Sequence, residues 1–297
     1  MRSSSELLRA QYTVEFPDSF FAFWDFANEV GARGIALGDG PLDIRLSRAF
    51  DALKPDLDLR AFDPIRQSRY RLDLPEFFTM LHGETDGLHW GYYLDDPGDP
   101  SFLVAAYYHG DSFEIWPAGH DLLEALRAQL EQAHRDAWEY LEYDPAHAGV
   151  YEDRLGQLET IRDVLAPYES DRTTEQGAEY LAKYAVRRDM TASTRDGMGI
   201  VVPEDTYQPA ERDARFEDGS YLPSAEEVRA YLTDGWDAMK EGHPGTALKV
   251  GKDLWVFPEH VEQAAALCDA AYAALGRPFL RSMLTQALEL RALRASN

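Results

Sequence analysis

Among the many carboxylates of this 297-residue chain, Glu241 has the most distinctive backbone setting. It lies in "MKEGHPGTALKVGKDLWVFPEH", residues 239–260, directly before a loop broken by Gly242 and Pro244. Gly242 permits dihedrals that other residues avoid, and Pro244 blocks continuation of the helical pattern before it. A carboxylate at such a break is held by rigid flanks yet projects clear of them. It can accept a hydroxyl proton or steady a developing positive charge. The plainer alternative is a solvated loop acid, because carboxylates are mostly exposed and inert.

Other reactive residue types are set out less suggestively. His82, Glu84 and His89 in "HGETDGLH" form a loose metal-like group, but their spacing matches no helical HExxH pair. Turn residues with one half-buried histidine account for them. "GMG" at 197–199 lacks the third glycine of a dinucleotide loop, and neither GxxxxGK[ST] nor GxSxG occurs. Cys268, the only cysteine, sits in the alanine-rich "EQAAALCDAAYAAL" and reads as a small buried hydrophobe. Being alone, it excludes an intrachain disulfide and a cysteine-rich zinc module, and it suits a reducing compartment. Glu241 with His243 or His260 would be the minimal set for an autonomous hydrolase, but no nucleophile–base pair is legible.

The elements that must position these residues can be read from periodicity. "FPDSFFAFWDFANEVG" predicts a helix started by Asp18 or Ser19 and ended by Gly31, with Phe20, Trp24, Ala27 and Val30 as its apolar stripe. "LHWGYYLD", "SFLVAAYYH" and "SFEIWPAG" predict antiparallel strands in succession, and "HDLLEALRAQLEQAHRDAWEYLEYD" a long helix with Leu122, Leu126, Leu130 and Ala137 inward. Further on, "RLGQLETIRDVLAPY" predicts a helix and "EQGAEYLAKYAVRRDM" a helical or mixed segment. "GMGIVVPED" reads as a buried strand, and "LPSAEEVRAYLTDGWDAMK" as a helix with a Ser224/Glu227 capping box. That helix points Ala230, Leu232 and Trp236 toward a core. "TALKVGKDLWVF" reads as a strand or hairpin, and a helix or helix pair closes the chain over about 259–294. Strands and helices mix without regular βαβ alternation, so the expectation is α+β: a first lobe, residues 1–150, built on an antiparallel sheet, and a second, 151–297, bearing the Glu241 loop.

Composition narrows the function classes. A formal net charge of −24 and a pI near 4.6 repel phosphate backbones and argue against direct nucleic-acid binding, while attracting cationic partners. No signal-peptide core and no 18-residue apolar run is visible, which predicts a cytoplasmic protein without membrane contact. The excess of arginine over lysine fits a GC-rich bacterial genome.

Several stretches, taken together, resemble one family, the histone PARylation factors, accessory subunits of poly(ADP-ribose) polymerases. "FPDSFFAFWDFANEV" is similar to its opening helix, and "DLPEFFTML" with "HWGYYLDDPGDPSFLVA" to its central block. "GMGIVVPED" is similar to its second-domain strand, and "KEGHPGTALKVGKDLWVFPEH" to the segment bearing its functional acid. The resemblance implies that Glu241 enters the active site of a partner ADP-ribosyltransferase, which holds the NAD, and directs transfer of ADP-ribose to serine. It implies partner docking by Asp253 and His260. Where animal members have an acid before the glutamate this chain has Lys240, a reversed charge at a partner-facing position. The family's partner-contacting arginine has no single counterpart in "TYQPAERDARFEDGSYLP", where Arg212 and Arg215 both stand, and the basic N-terminal extension of animal members is missing. A second resemblance, of "LPEFFTMLHGETDG" to immunity proteins of the Smi1/Knr4 group, implies instead a module that docks on a basic toxin.

Overall fold

The computed structural model describes residues 8, 14–54, 68–70, 73–83, 87–109, 114–169 and 190–295. Helix α1 (Asp18–Ala32) buries Phe20, Phe23, Phe26 and Val30, while Trp24 and Ala27 of the anticipated stripe are only half-buried. Pro17 takes the N-cap position and no side chain caps the helix, so Asp18 and Ser19 are already inside it. Strands β1 (Ile44–Leu46), β2 (Phe77–Gly83), β3 (Leu88–Tyr93), β4 (Leu103–Tyr108) and β5 (Trp116–Gly119) then pair antiparallel in chain order. The three anticipated strands are β3, β4 and β5. β1, only three residues long, gave no periodic signal.

The sheet is the hub of the molecule, because successive side chains point to opposite faces. Phe78, Tyr92 and Val104, aligned across three strands, join a first core with α1, α2 (Leu122–Tyr143) and α3 (Ala148–Leu165). Their sequence neighbours Phe77, Tyr93 and Leu103 join a second core on the other face. Helix α2 is capped by Asp121, keeps Leu122, Leu126, Leu130 and Ala137 inward, and stops at Asp144 before Pro145. Helix α3 starts well before its anticipated first residue and packs in the first core, beside α2. The segment "EQGAEYLAKYAVRRDM" lies almost wholly outside the described residues.

The second layer comprises short α4 (Asp213–Glu217), α5 (Ala225–Glu241), α6 (Pro244–Trp255), α7 (Val261–Ala274) and α8 (Pro278–Ala295). The Ser224/Glu227 capping box forms as read. The inner face of α5 is Val228, Tyr231, Leu232, Gly235 and Ala238, whereas Trp236 is exposed and Ala230 half-buried. Two strand expectations are corrected. "GMGIVVPED" makes only an isolated bridge, Ala192 with Ile200, because Gly197 and Gly199 take positive φ and curl the chain between β5 and α6. "TALKVGKDLWVF" is helical as far as Trp255: Pro244 occupies the first turn, where its missing N–H is not needed, and all twelve residues of α6 are buried. Gly251 lets α7 approach closely, since a Cβ there would stand 2.5 Å from the Cys268 sulfur. No helix among the described residues is long and apolar enough to cross a membrane.

Candidate functional site

Glu241 is the last residue of α5 and is exposed. The helix ends there because Gly242 adopts the left-handed conformation at φ 89°. The Gly242 amide donates to the Met239 carbonyl and the His243 amide to that of Ala238, at 3.3 and 2.8 Å. This pair of bonds is a Schellman closure, which satisfies carbonyls that the helix end would leave orphaned. Pro244 then begins α6 two residues later, so Glu241 is fixed by one helix end and one helix start.

The acid opens onto a groove of about 270 Å³, walled on one side by Asp234, Asp237, Ala238 and Glu241. Residues 208–212 form the facing wall, and His243 and Thr246 lie between. That wall is pinned from behind. The Thr246 hydroxyl donates to the Gln208 carbonyl and accepts from the Gln208 amide, at 2.7 and 2.8 Å. Asp213 accepts from the Ala210 amide and the Tyr207 hydroxyl, at 2.9 and 3.0 Å. Arg212 closes the groove by pairing with Asp234 at 2.6 Å. Lys240 is exposed and pairs with Asp237 at 2.7 Å, so its charge is engaged by a neighbour one turn back. Glu241 itself makes no hydrogen bond or ion pair to any described residue. No spacing in the sequence brings residues 208–212 beside residue 241; the Thr246 anchor and the Arg212–Asp234 pair do.

Asp253 and His260 lie elsewhere. Asp253, which the resemblance implied in partner docking, is fully buried in α6 and does not reach the surface. It accepts from the Arg195 amide, the Tyr231 hydroxyl and the Lys249 ammonium, each at 2.8 Å. Burial pushes its carboxyl up to about 6 against the pull of Lys249. Burial pushes Lys249 the other way, but Asp253, Asp213 and Glu217 outweigh it and hold the ammonium above its ordinary value. Arg195, which the sequence did not single out, lies over the Phe257 ring at 5.0 Å and donates to the Asp218 and Gly219 carbonyls. His260 is half-buried in a short turn, Pro258–His260, just beyond α6. It therefore stands beyond the far end of α6 from Glu241, a helix roughly 18 Å long at 1.5 Å per residue. Of the groove's arginine candidates, Arg212 lines it, whereas Arg215 pairs with Glu227.

The histidines of "HGETDGLH" are structural in their contacts. His89 is fully buried, its Nε2 3.2 Å from Asp73 and its Nδ1 2.8 Å from the Gly87 carbonyl. Both ring nitrogens face acceptors, so the ring fills both contacts only when doubly protonated. Asp73 also takes the Tyr107 and Thr79 hydroxyls, at 2.5 and 2.9 Å, and sits below its ordinary value because the His89 bond and charge outweigh burial. His82 meets the Tyr70 hydroxyl at 2.8 Å, and burial with the neighbouring His89 lowers it to about 4. Glu84 lies outside the described residues. Among the described residues no three His, Cys, Asp or Glu side chains are grouped to hold a metal. Cys268 is buried, and burial pushes its thiol well above the ordinary range, so no reactive thiolate is exposed there.

A five-stranded antiparallel sheet clad on both faces by helices, with an exposed carboxylate set at a helix break beside a polar groove, defines an α+β protein. The chain belongs to the histone PARylation factor 1 family, whose match spans residues 3–214. Membership implies partnership with poly(ADP-ribose) polymerases. The matched stretch takes in the sheet, its first helical layer and the 208–212 wall of the groove, and ends before α5; Glu241, Asp253 and His260 lie beyond it.

Proposed function

We propose that this chain is a co-catalytic factor that docks on an ADP-ribosyltransferase of the poly(ADP-ribose) polymerase type and lends it Glu241. The observation that carries the reading is the position of Glu241: exposed, without a partner of its own, and rigidly held at the lip of a groove. A serine hydroxyl titrates far above neutral pH and attacks poorly until a base takes its proton. In the composite site the serine oxygen bonds to the anomeric carbon of NAD, the bond to nicotinamide breaks with its electron pair, and the hydroxyl proton passes to Glu241. The same carboxylate steadies the positive charge that builds on the sugar as nicotinamide departs. NAD is held by the partner, in keeping with the absence of a phosphate-binding glycine loop from the sequence.

Lys240, beside Glu241 at the end of α5, and His260, beyond the far end of α6, face the partner, while Asp253 braces this surface from within by holding the backbone of Arg195. The acidic surface steers a cationic protein segment toward the groove and keeps nucleic acid away. The family match includes "LPEFFTMLHGETDG", so that stretch gives no separate support to a toxin-binding module.

The test is capture of the transferase from the source organism, then NAD labelling with and without this chain. Added wild-type chain should move modification onto serine. Glu241→Gln should lower that serine modification by about 10²–10⁴-fold, the range for loss of a general base, with capture unchanged. Full serine labelling by the glutamine variant would remove Glu241 from the chemistry.

A further inference from the structure

The wall that faces Glu241 has no framework of its own. Residues 208–212 form neither helix nor strand, so they stand where their anchors put them. One of those anchors, Thr246, is the third residue of α6, whose start follows directly on the Gly242–His243 break that fixes Glu241. A single helical turn thus supports both sides of the groove.

The Thr246 side chain is buried, and among the described residues both bonds of its hydroxyl, one given and one accepted, go to the Gln208 backbone. It is not used on its own helix, since α6 has no side-chain cap. Burying a hydroxyl costs desolvation that a methyl group avoids, and here the wall is all that the hydroxyl holds. Beside it, Gly245 lets the segment leading into the wall close in. A Cβ there would stand 2.7 Å from a Val202 methyl and 2.9 Å from the Thr206 carbonyl oxygen. We infer that Thr246 is a positioning residue. It sets the distance between the 208–212 wall and Glu241, and so places a target segment lying between them with its serine hydroxyl at that carboxylate. The inference rests on the function proposed above. The Arg212–Asp234 pair is a looser tie, because both side chains are partly exposed and water competes for them. Asp213 fixes Ala210 but also holds Tyr207 and Tyr231, so it serves much more than the wall.

Thr246→Val keeps the shape of the side chain and removes both bonds, whereas Thr246→Ser keeps the hydroxyl. In the full chain alone, amide hydrogen exchange at Gln208 should quicken about tenfold in the valine variant and stay within about twofold in the serine variant. With the captured transferase and a peptide that carries a single serine, Thr246→Val should lower kcat/KM for serine labelling by about 10–100-fold, with capture unchanged. Thr246→Ser should bring it back to within about twofold of wild type. Gly245→Ala presses on the Thr206 carbonyl with the hydroxyl still in place, and it should lower kcat/KM as well. Ile161→Val loosens the core on the other face of the sheet and should leave kcat/KM within about twofold, which separates positioning from a general loss of stability. Unchanged Gln208 exchange or unchanged serine labelling in Thr246→Val overturns the inference, and so does a loss that Thr246→Ser fails to restore. A wild-type chain that moves no modification onto serine overturns the proposed function instead, a result read without any variant.

Discussion

Tyr231 has one hydroxyl proton and two carboxylates within reach, Asp213 and Asp253, each at 2.8 Å. Tyr231 donates toward both, and burial raises the Asp253 carboxyl to about 6. An aspartate whose folded value exceeds its ordinary 3.8 binds its proton more tightly folded than unfolded. The stability it contributes is complete below about pH 3.8 and is lost as pH rises through about 6. Asp253→Asn lacks that titration. Its deficit relative to wild type in denaturant unfolding should therefore be larger at pH 4 than at pH 7, and a deficit that grows with pH would contradict the assignment. Glu241 behaves oppositely: exposed and unpartnered, its replacement by Gln should shift stability by less than about 0.5 kcal/mol. Loss of function without loss of fold is then readable at this position.

At the scale of elements, α6 is the piece on which the site depends. Its contact with α7 runs through Gly251, where any side chain would drive into the Cys268 sulfur and the Ala264 carbonyl, at 2.5 and 3.1 Å. Gly251→Val should cost about 1–3 kcal/mol, or more if α7 cannot retreat, seen as a lower urea midpoint; an unchanged midpoint would mean that the two helices are less closely fitted than described. This helix is also where sequence reasoning failed. The segment "TALKVGKDLWVF" reads as a strand or hairpin, and it holds Lys249 and Lys252. Both are buried; Lys249 is balanced by Asp253 one turn on and by the distant Asp213 and Glu217, and Lys252 by the distant Asp196. The long-range pairs leave no local period. The Ser224 capping box, the α2 stripe and the three strands were legible because their signals are local. Glu241 itself was legible from the Gly242 and Pro244 break, while the wall opposite it was not.

For the whole molecule, the sheet belongs to both cores, Phe77 facing one and Phe78 the other. Neither helical layer has another apolar surface of comparable size to bury against, so the layers should melt together. Tryptophan fluorescence and far-ultraviolet circular dichroism should give coincident denaturation curves, and Phe77→Ala and Phe78→Ala should each displace that single transition by about 3–5 kcal/mol of stability. Two separated transitions would show that the layers fold independently.

A helix enclosed on every side can neither bow nor slip lengthwise, and α6 is such a helix. It spaces Glu241 and His260 like the jaws of a fixed gauge. A transferase with suitable chemistry at each end but a different stride between them would be turned away with no clash at either residue. Partner choice, in the function proposed above, would then be written partly in the length of a segment that no partner ever touches.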